Sequence, residues 1–127
     1  MATFKFELVS PERLVMSADA EQVVVPGTEG DFAVLAGHAP VLSTLRPGIL
    51  AVTLSDGKPK RLFVRGGFAE VDPASLTVLA QQAVDLADAG RDWIAKEIET
   101  AEKAFAEADS DDARFDARAT LDALRAA

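Results

Sequence analysis

Glu29, Asp31 and His38 fall within ten residues of one another, in a stretch crowded with glycine and proline, and Ser43 follows shortly after. Ser43, His38 and Asp31 are the residue types of a hydrolytic triad, in which histidine takes the serine proton and a carboxylate orients the imidazole. The surrounding pattern does not support that chemistry, because no nucleophile elbow frames Ser43. His38 is instead expected to be a loop histidine bonded to backbone, or a contact residue. Gly27-x-x-Gly30 is not a phosphate loop: the Gly-Lys-Ser/Thr ending is missing and a strand-like run follows. Its expected use is turn geometry. Glu29 and Asp31 are two carboxylates without further oxygen ligands, too few for a cation site. They keep the loop solvated or face a partner. The chain has no cysteine, which excludes disulfides and thiolate metal sites. No catalytic residue, metal or cofactor is therefore expected.

The elements that carry these residues are short. Residues 23–49 hold three of the six prolines, four of the eight glycines and the single histidine. Apolar runs at 23–25, 32–35 and 41–45 alternate with turn clusters at 26–30, 37–40 and 47–48. That alternation reads as strands and tight loops, with the three ionisable groups on one shared rim. Upstream, Phe4, Phe6 and Leu8 alternate with polar residues, and Ser10-Pro11 marks a turn. Strands are expected at 13–18 and 21–25, and after the rich stretch at 49–54. Asp56-Gly57 supplies a hairpin turn to a return strand at 60–65. Gly66-Gly67 suggests a bulge or a close backbone approach before strands at 68–71 and 76–80. About nine or ten short antiparallel strands in residues 1–84 predict a sandwich or flattened barrel. Arg61 and Arg65 share one face, with Lys58 and Lys60 near the turn. They either protect a sheet edge or meet an acidic partner.

From Asp88 onward there is no proline, and helix formers dominate. Ile94, Ile98, Ala101, Phe105 and Ala108 line up on one helical face. Asp109-Ser110-Asp111-Asp112 is a break with a capping side chain. Ala113, Ala117, Leu121 and Leu124 form the stripe of a second helix. Residues 85–127 are thus expected to be an antiparallel helical hairpin, with Trp93 across its junction with the sandwich, ring buried. The second stripe is alanine-rich, so the hairpin has to lean on the sandwich or on a partner.

Net charge is −8, unevenly placed: residues 1–84 carry seven basic and nine acidic groups, and residues 85–127 carry six basic and twelve acidic. Nucleic acid is not an expected partner, since phosphate binding needs a basic face. No apolar run approaches the roughly 18 residues of a membrane span, so no direct membrane insertion is expected. The alternating residues 1–9 do not resemble a signal peptide, and a soluble, cytoplasmic protein is expected.

Two blocks, PGTEGDFAVLAGHAPVLSTLRPGIL at 26–50 and LFVRGGFAEVDPASLTVL at 62–79, closely resemble the signature of the epsilon subunits of F-type ATP synthases. Those subunits are equivalent to the mitochondrial delta subunit. The resemblance covers about residues 3–84 well and the rest in general form. It implies a non-catalytic central-stalk rotor subunit at the cytoplasmic face of the bacterial inner membrane. The sandwich would bind the gamma subunit and rest on the c-ring loops. Gly27, Thr28, Glu29, Gly30 and Asp31 resemble the loop that faces the c-ring, and Gly37, His38, Ala39 and Pro40 a neighbouring stalk contact. The helical hairpin, with Trp93, Ile94, Ile98, Phe105, Leu121 and Leu124 as its packing residues, would reach the alpha and beta subunits of the catalytic head. Several members bind ATP through Ile/Leu-Asp-x-x-Arg-Ala at the start of the hairpin. Here Asp88 or Gly90 stands at the arginine position, according to register, so poor ATP binding and weak inhibition of hydrolysis are expected. A stand-alone small-ligand binding module and a small hydrolase using His38 are the other readings.

Overall fold

Phe4, Phe6 and Leu8 are buried on one side of β1 (Phe4–Ser10), while Lys5 between them is exposed. The same period of two runs through the N-terminal part of this computed structural model, which describes residues 2–127. Met1, the first residue of the alternating segment, lies outside the described residues. The remaining strands are β2 (Arg13–Gly27), β3 (Gly30–Val34), β4 (Val41–Thr44), β5 (Gly48–Leu54), β6 (Pro59–Val71) and β7 (Ser75–Asp85).

β1 pairs with β7, β7 with β6, β6 with β5, β5 with β2, and β2 with β1 again, which closes a flattened barrel. The first half of β2 lies on β1 and its second half on β5 and β3. The first half of β6 lies on β5, its second half on β4, and β7 follows it throughout. Each long strand therefore passes from one layer of a sandwich to the other. Phe6, Leu8, Val23, Leu50, Leu62 and Leu76 fill the space between the layers.

Two expectations about the strands need correction. There are seven among the described residues, not nine or ten. β2 continues through a register shift between Ala20 and Gln22 while it exchanges partners. β6 runs through Gly66-Gly67 in unbroken register, so no bulge forms there. Those glycines serve close approach: Gly67 has φ 108°, and a Cβ on it would overlap the Leu79 carbonyl. The second correction is direction. β1 and β7 are parallel, because the first strand already has β2 as its antiparallel partner and the last strand fills its other side.

The sandwich leads into α1 (Leu86–Glu107) and α2 (Asp111–Arg125). Asp85 caps α1 by accepting from the Ala87 N–H at 3.0 Å, and Ser110 caps α2 by accepting from the Ala113 N–H at 3.1 Å. Gly90, with φ 78° and ψ 172°, separates the first turn of α1 from its main length. Ala101, Ala117, Leu121 and Leu124 are buried between the helices and the sheet, and so is Thr120, whose hydroxyl donates to the Asp116 carbonyl at 2.8 Å. Phe105 and Ala113 depart from their expected packing roles: both are exposed, Phe105 by 37%. They sit beside the interhelical link, and apart from half-buried Ala108 every residue of 102–116 is exposed. The link end thus has little cover beyond the other helix.

The opposite end is held firmly. Phe63 points away from the sandwich core, yet it is only 1% exposed because the helices cover it. The half-buried Trp93 ring meets it edge-on, with centroids 6.1 Å apart. Ile94 and Ile98 are half-buried beside it along α1. Arg61 Nη2 donates to the Ala126 carbonyl at 2.9 Å, setting a cation at the C-terminus of α2. β6 has neighbours on both sides, so its arginines do not guard an edge.

Candidate functional site

Gly27 and Gly30 are opposed across the β2–β3 ladder, leaving Thr28 and Glu29 as a two-residue turn. A side chain at Gly27 would meet the Gly30 carbonyl oxygen at 2.8 Å, and Gly30 has φ 135°, so both ends of the turn need glycine. The turn is tied sideways to the segment after β4. The Thr28 N–H donates to the Thr44 carbonyl at 3.0 Å, the two threonine hydroxyls bond at 2.9 Å, and Gly27 bridges to Leu45. Arg46 completes the attachment, donating to the Gly27 carbonyl at 2.6 Å and to Asp31 Oδ1 at 2.5 Å. Glu29 stands exposed at the tip, with no ion-pair partner among the described residues.

Gly37, His38, Ala39 and Pro40 occupy a different place. Their loop joins the far end of β3 to the start of β4, and the Gly37 N–H donates to the Pro73 carbonyl at 2.8 Å in the β6–β7 turn. The expectation of one shared rim is therefore corrected. Asp31 and His38 lie toward opposite ends of β3, and a strand rises about 3.3 Å per residue. Nor are the three triad types bonded to one another. His38 Nδ1–H donates to the Ala39 carbonyl at 2.7 Å, Ser43 Oγ donates to the Thr44 carbonyl at 3.0 Å, and Asp31 is held by Arg46.

A groove of about 480 Å³ lies beside the turn, lined by Thr28, Glu29 and Gly30, by Phe32, and by residues 41–44. Its surroundings are the least expected feature. Leu35 is 50% exposed, Val41 39% and Leu42 71%. Successive side chains on β4 point to opposite faces, and neither face is covered at Val41 or Leu42. The sequence carried that signal in the apolar run at 41–45, and Arg46 was not singled out there, because it falls between that run and the turn cluster at 47–48. An exposed Val41-Leu42 pair beside a fixed polar turn suits a protein interface.

A second open cleft, about 390 Å³, lies between Arg46, Ile49 and the α2 residues Phe115, Arg118 and Asp122. Among the described residues, every buried side-chain nitrogen or oxygen has a hydrogen-bond partner, so neither space is lined by a buried unsatisfied polar group. Farther along, Lys60 Nζ donates to Asp85 Oδ2 at 2.6 Å. That bond, with the Asp85 charge, raises the Lys60 ammonium above its ordinary value. Burial alone pushes the Asp85 carboxyl up, but the bonds from Lys60 and the Ala87 N–H, with the Lys60 charge, outweigh it and leave the carboxyl below its ordinary value. Asp72 is likewise low, because it accepts from the Ser75 hydroxyl and from the Ala74 and Ser75 N–H groups.

Residues 3–86 match the family model for the beta-sandwich domain of the ATP synthase delta/epsilon chain. The chain is 53% identical over 120 residues to the ATP synthase epsilon chain of Parvibaculum lavamentivorans, covering 94% of this chain and 91% of that one. It is 55% identical over 102 residues to that of Afipia carboxidovorans, covering 80% and 74%. Its fold is similar to a chain in the mitochondrial ATP synthase assembly of OSCP, F1 and c-ring from Euglena gracilis, with TM-score 0.76, 24% identity, and coverage of 98% of this chain and 79% of that one. It is also similar to a chain in the central stalk and c-ring of the Tetrahymena thermophila mitochondrial enzyme, with TM-score 0.65, 13% identity, and coverage of 98% and 96%.

Proposed function

The chain belongs to the ATP synthase delta/epsilon family, and from that premise we propose that it is a non-catalytic rotor subunit of the central stalk. It joins the gamma subunit to the c-ring and helps couple proton flow to ATP synthesis at the cytoplasmic face of the bacterial inner membrane. The observation that carries this reading is the β3–β4 groove, where Val41 and Leu42 are exposed beside a turn fixed at its base by Arg46. The apolar part suits a lasting protein contact, in which buried aliphatic groups exclude water. The acidic tip suits a polar loop. Gamma is assigned to the apolar groove and to the separate loop of His38 and its neighbours, and the c-ring to the turn at residues 27–31. No helix among the described residues is long and apolar enough to cross a membrane, so in this reading contact with the membrane sector is made through loops.

The helical hairpin is assigned at most a weak restraint on ATP hydrolysis through the alpha and beta subunits. Its charge is strongly acidic, Asp88 or Gly90 replaces the expected arginine, and Asp85 is already engaged with Lys60. Capture experiments with the gamma subunit test the main assignment. The wild-type chain should retain gamma, and Leu42→Asp should release it while keeping its thermal transition. Retention by Leu42→Asp at wild-type affinity would remove the groove from the interface.

A further inference from the structure

Residues 28–31 are all exposed, so packing cannot hold the turn in one conformation. Glycines at both ends would leave it freer still. Arg46 opposes that freedom from outside the turn, at the point where the chain leaves β4 for β5. Its N–H donates to the Pro26 carbonyl at 3.0 Å, Nη1 to the Gly27 carbonyl at 2.6 Å and Nη2 to Asp31 Oδ1 at 2.5 Å. Pro26 and Gly27 belong to β2, whereas Asp31 is the register partner of Pro26 on β3. The guanidinium therefore spans both legs of the turn, one residue below its tip.

We propose that Arg46 is a positioning residue that fixes the turn so that Glu29 projects toward the partner loop, and that Asp31 serves as the counter-ion of Arg46 rather than as a contact. The two acidic groups of the turn then have separate tasks, although the sequence presents them as equivalents. Only a planar fork reaches a carbonyl and a carboxylate at once in fixed geometry; an ammonium is a single point charge on a flexible stem. Asp31 is 58% exposed and Arg46 28%, so the pair is too wet to matter greatly for global stability, and its effect is local. Charges facing the pair from α2 are Arg118 and Asp122, which bond each other at 3.2 Å.

This inference rests on the proposed coupling role for one arm of its test and stands alone for the other. In the isolated full-length chain, Arg46→Gln should speed hydrogen exchange at the Thr28 and Gly30 amides about tenfold or more, with Arg46→Lys intermediate and the core strands unchanged. In a synthase resupplied with each variant, proton pumping per ATP hydrolysed should fall for Arg46→Gln and for Glu29→Ala while gamma is still captured. Asp31→Asn keeps a neutral acceptor for the fork and should preserve both slow exchange and pumping. Unchanged turn exchange in Arg46→Gln would overturn the positioning role. Loss of pumping in Asp31→Asn with slow exchange intact would make Asp31 a contact and overturn the division of tasks. Failure of the wild-type chain to restore pumping would sink the coupling assignment instead, leaving the exchange arm to decide what Arg46 does.

Discussion

The Lys60–Asp85 pair ties β6 to the end of β7, where Asp85 also caps α1, and its pH dependence has two limbs. The folded Asp85 carboxyl is held below 3.8, so its contribution is present above the unfolded value and disappears as pH falls through the lowered one. The folded Lys60 ammonium is held above 10.5, so its contribution is full below the unfolded value and disappears as pH rises through the raised one. Hairpin docking, followed through Trp93 fluorescence, should be level between those limits and weaken at both ends. Asp85→Asn should flatten the acid limb and weaken docking by up to about 1 kcal/mol, since it loses the charge that faces Lys60 while keeping an acceptor for the cap. An acid limb unchanged in that variant would assign it to another group. At the turn, Glu29→Ala with Asp31→Ala should leave thermal stability within about 0.5 kcal/mol of wild type while lowering pumping per ATP. Residue types were legible here and their distances were not: Asp31 and His38 are seven positions apart in sequence, but β3 stands between them.

At the scale of elements, period and turn chemistry located every strand, yet they divided β2 and β6 at positions where each only changes partner. Local pattern cannot show a strand passing from one layer to another, because its alternation continues through the crossing. The helical hairpin was legible from composition and from the Ser110 cap. Burial of Thr120 was not, since its hydroxyl is satisfied by its own helix and lets a polar residue occupy the apolar stripe. Removing Phe63 tests what holds the hairpin down. Phe63→Ala should cost about 3 kcal/mol or more of docking stability and shift Trp93 emission to the red, because the side chain is covered only where the helices sit. Unchanged emission would mean that Trp93 is anchored elsewhere. Titration of the isolated chain with ATP should give no saturable heat at cellular concentrations, since no arginine stands at the expected position. Saturable binding would show that another cation substitutes.

At the scale of the whole molecule, a closed barrel carries the proposed partner surface and an appended acidic hairpin lies against its outer face. Residues 1–84 should therefore unfold cooperatively without the helices, at a lower temperature because Phe63 becomes exposed, and should still capture gamma. Absence of a cooperative transition in that fragment would make the hairpin part of the fold rather than an appendage. Coupling itself is the central claim. The measurement that reaches it most directly is proton pumping per ATP hydrolysed in vesicles whose synthase has been stripped of this subunit and resupplied with the full-length chain. The account predicts that the wild-type chain restores pumping and that Leu42→Asp, folded but unable to hold gamma, does not. Pumping that stays absent with the wild-type chain, or returns equally with Leu42→Asp, would contradict it.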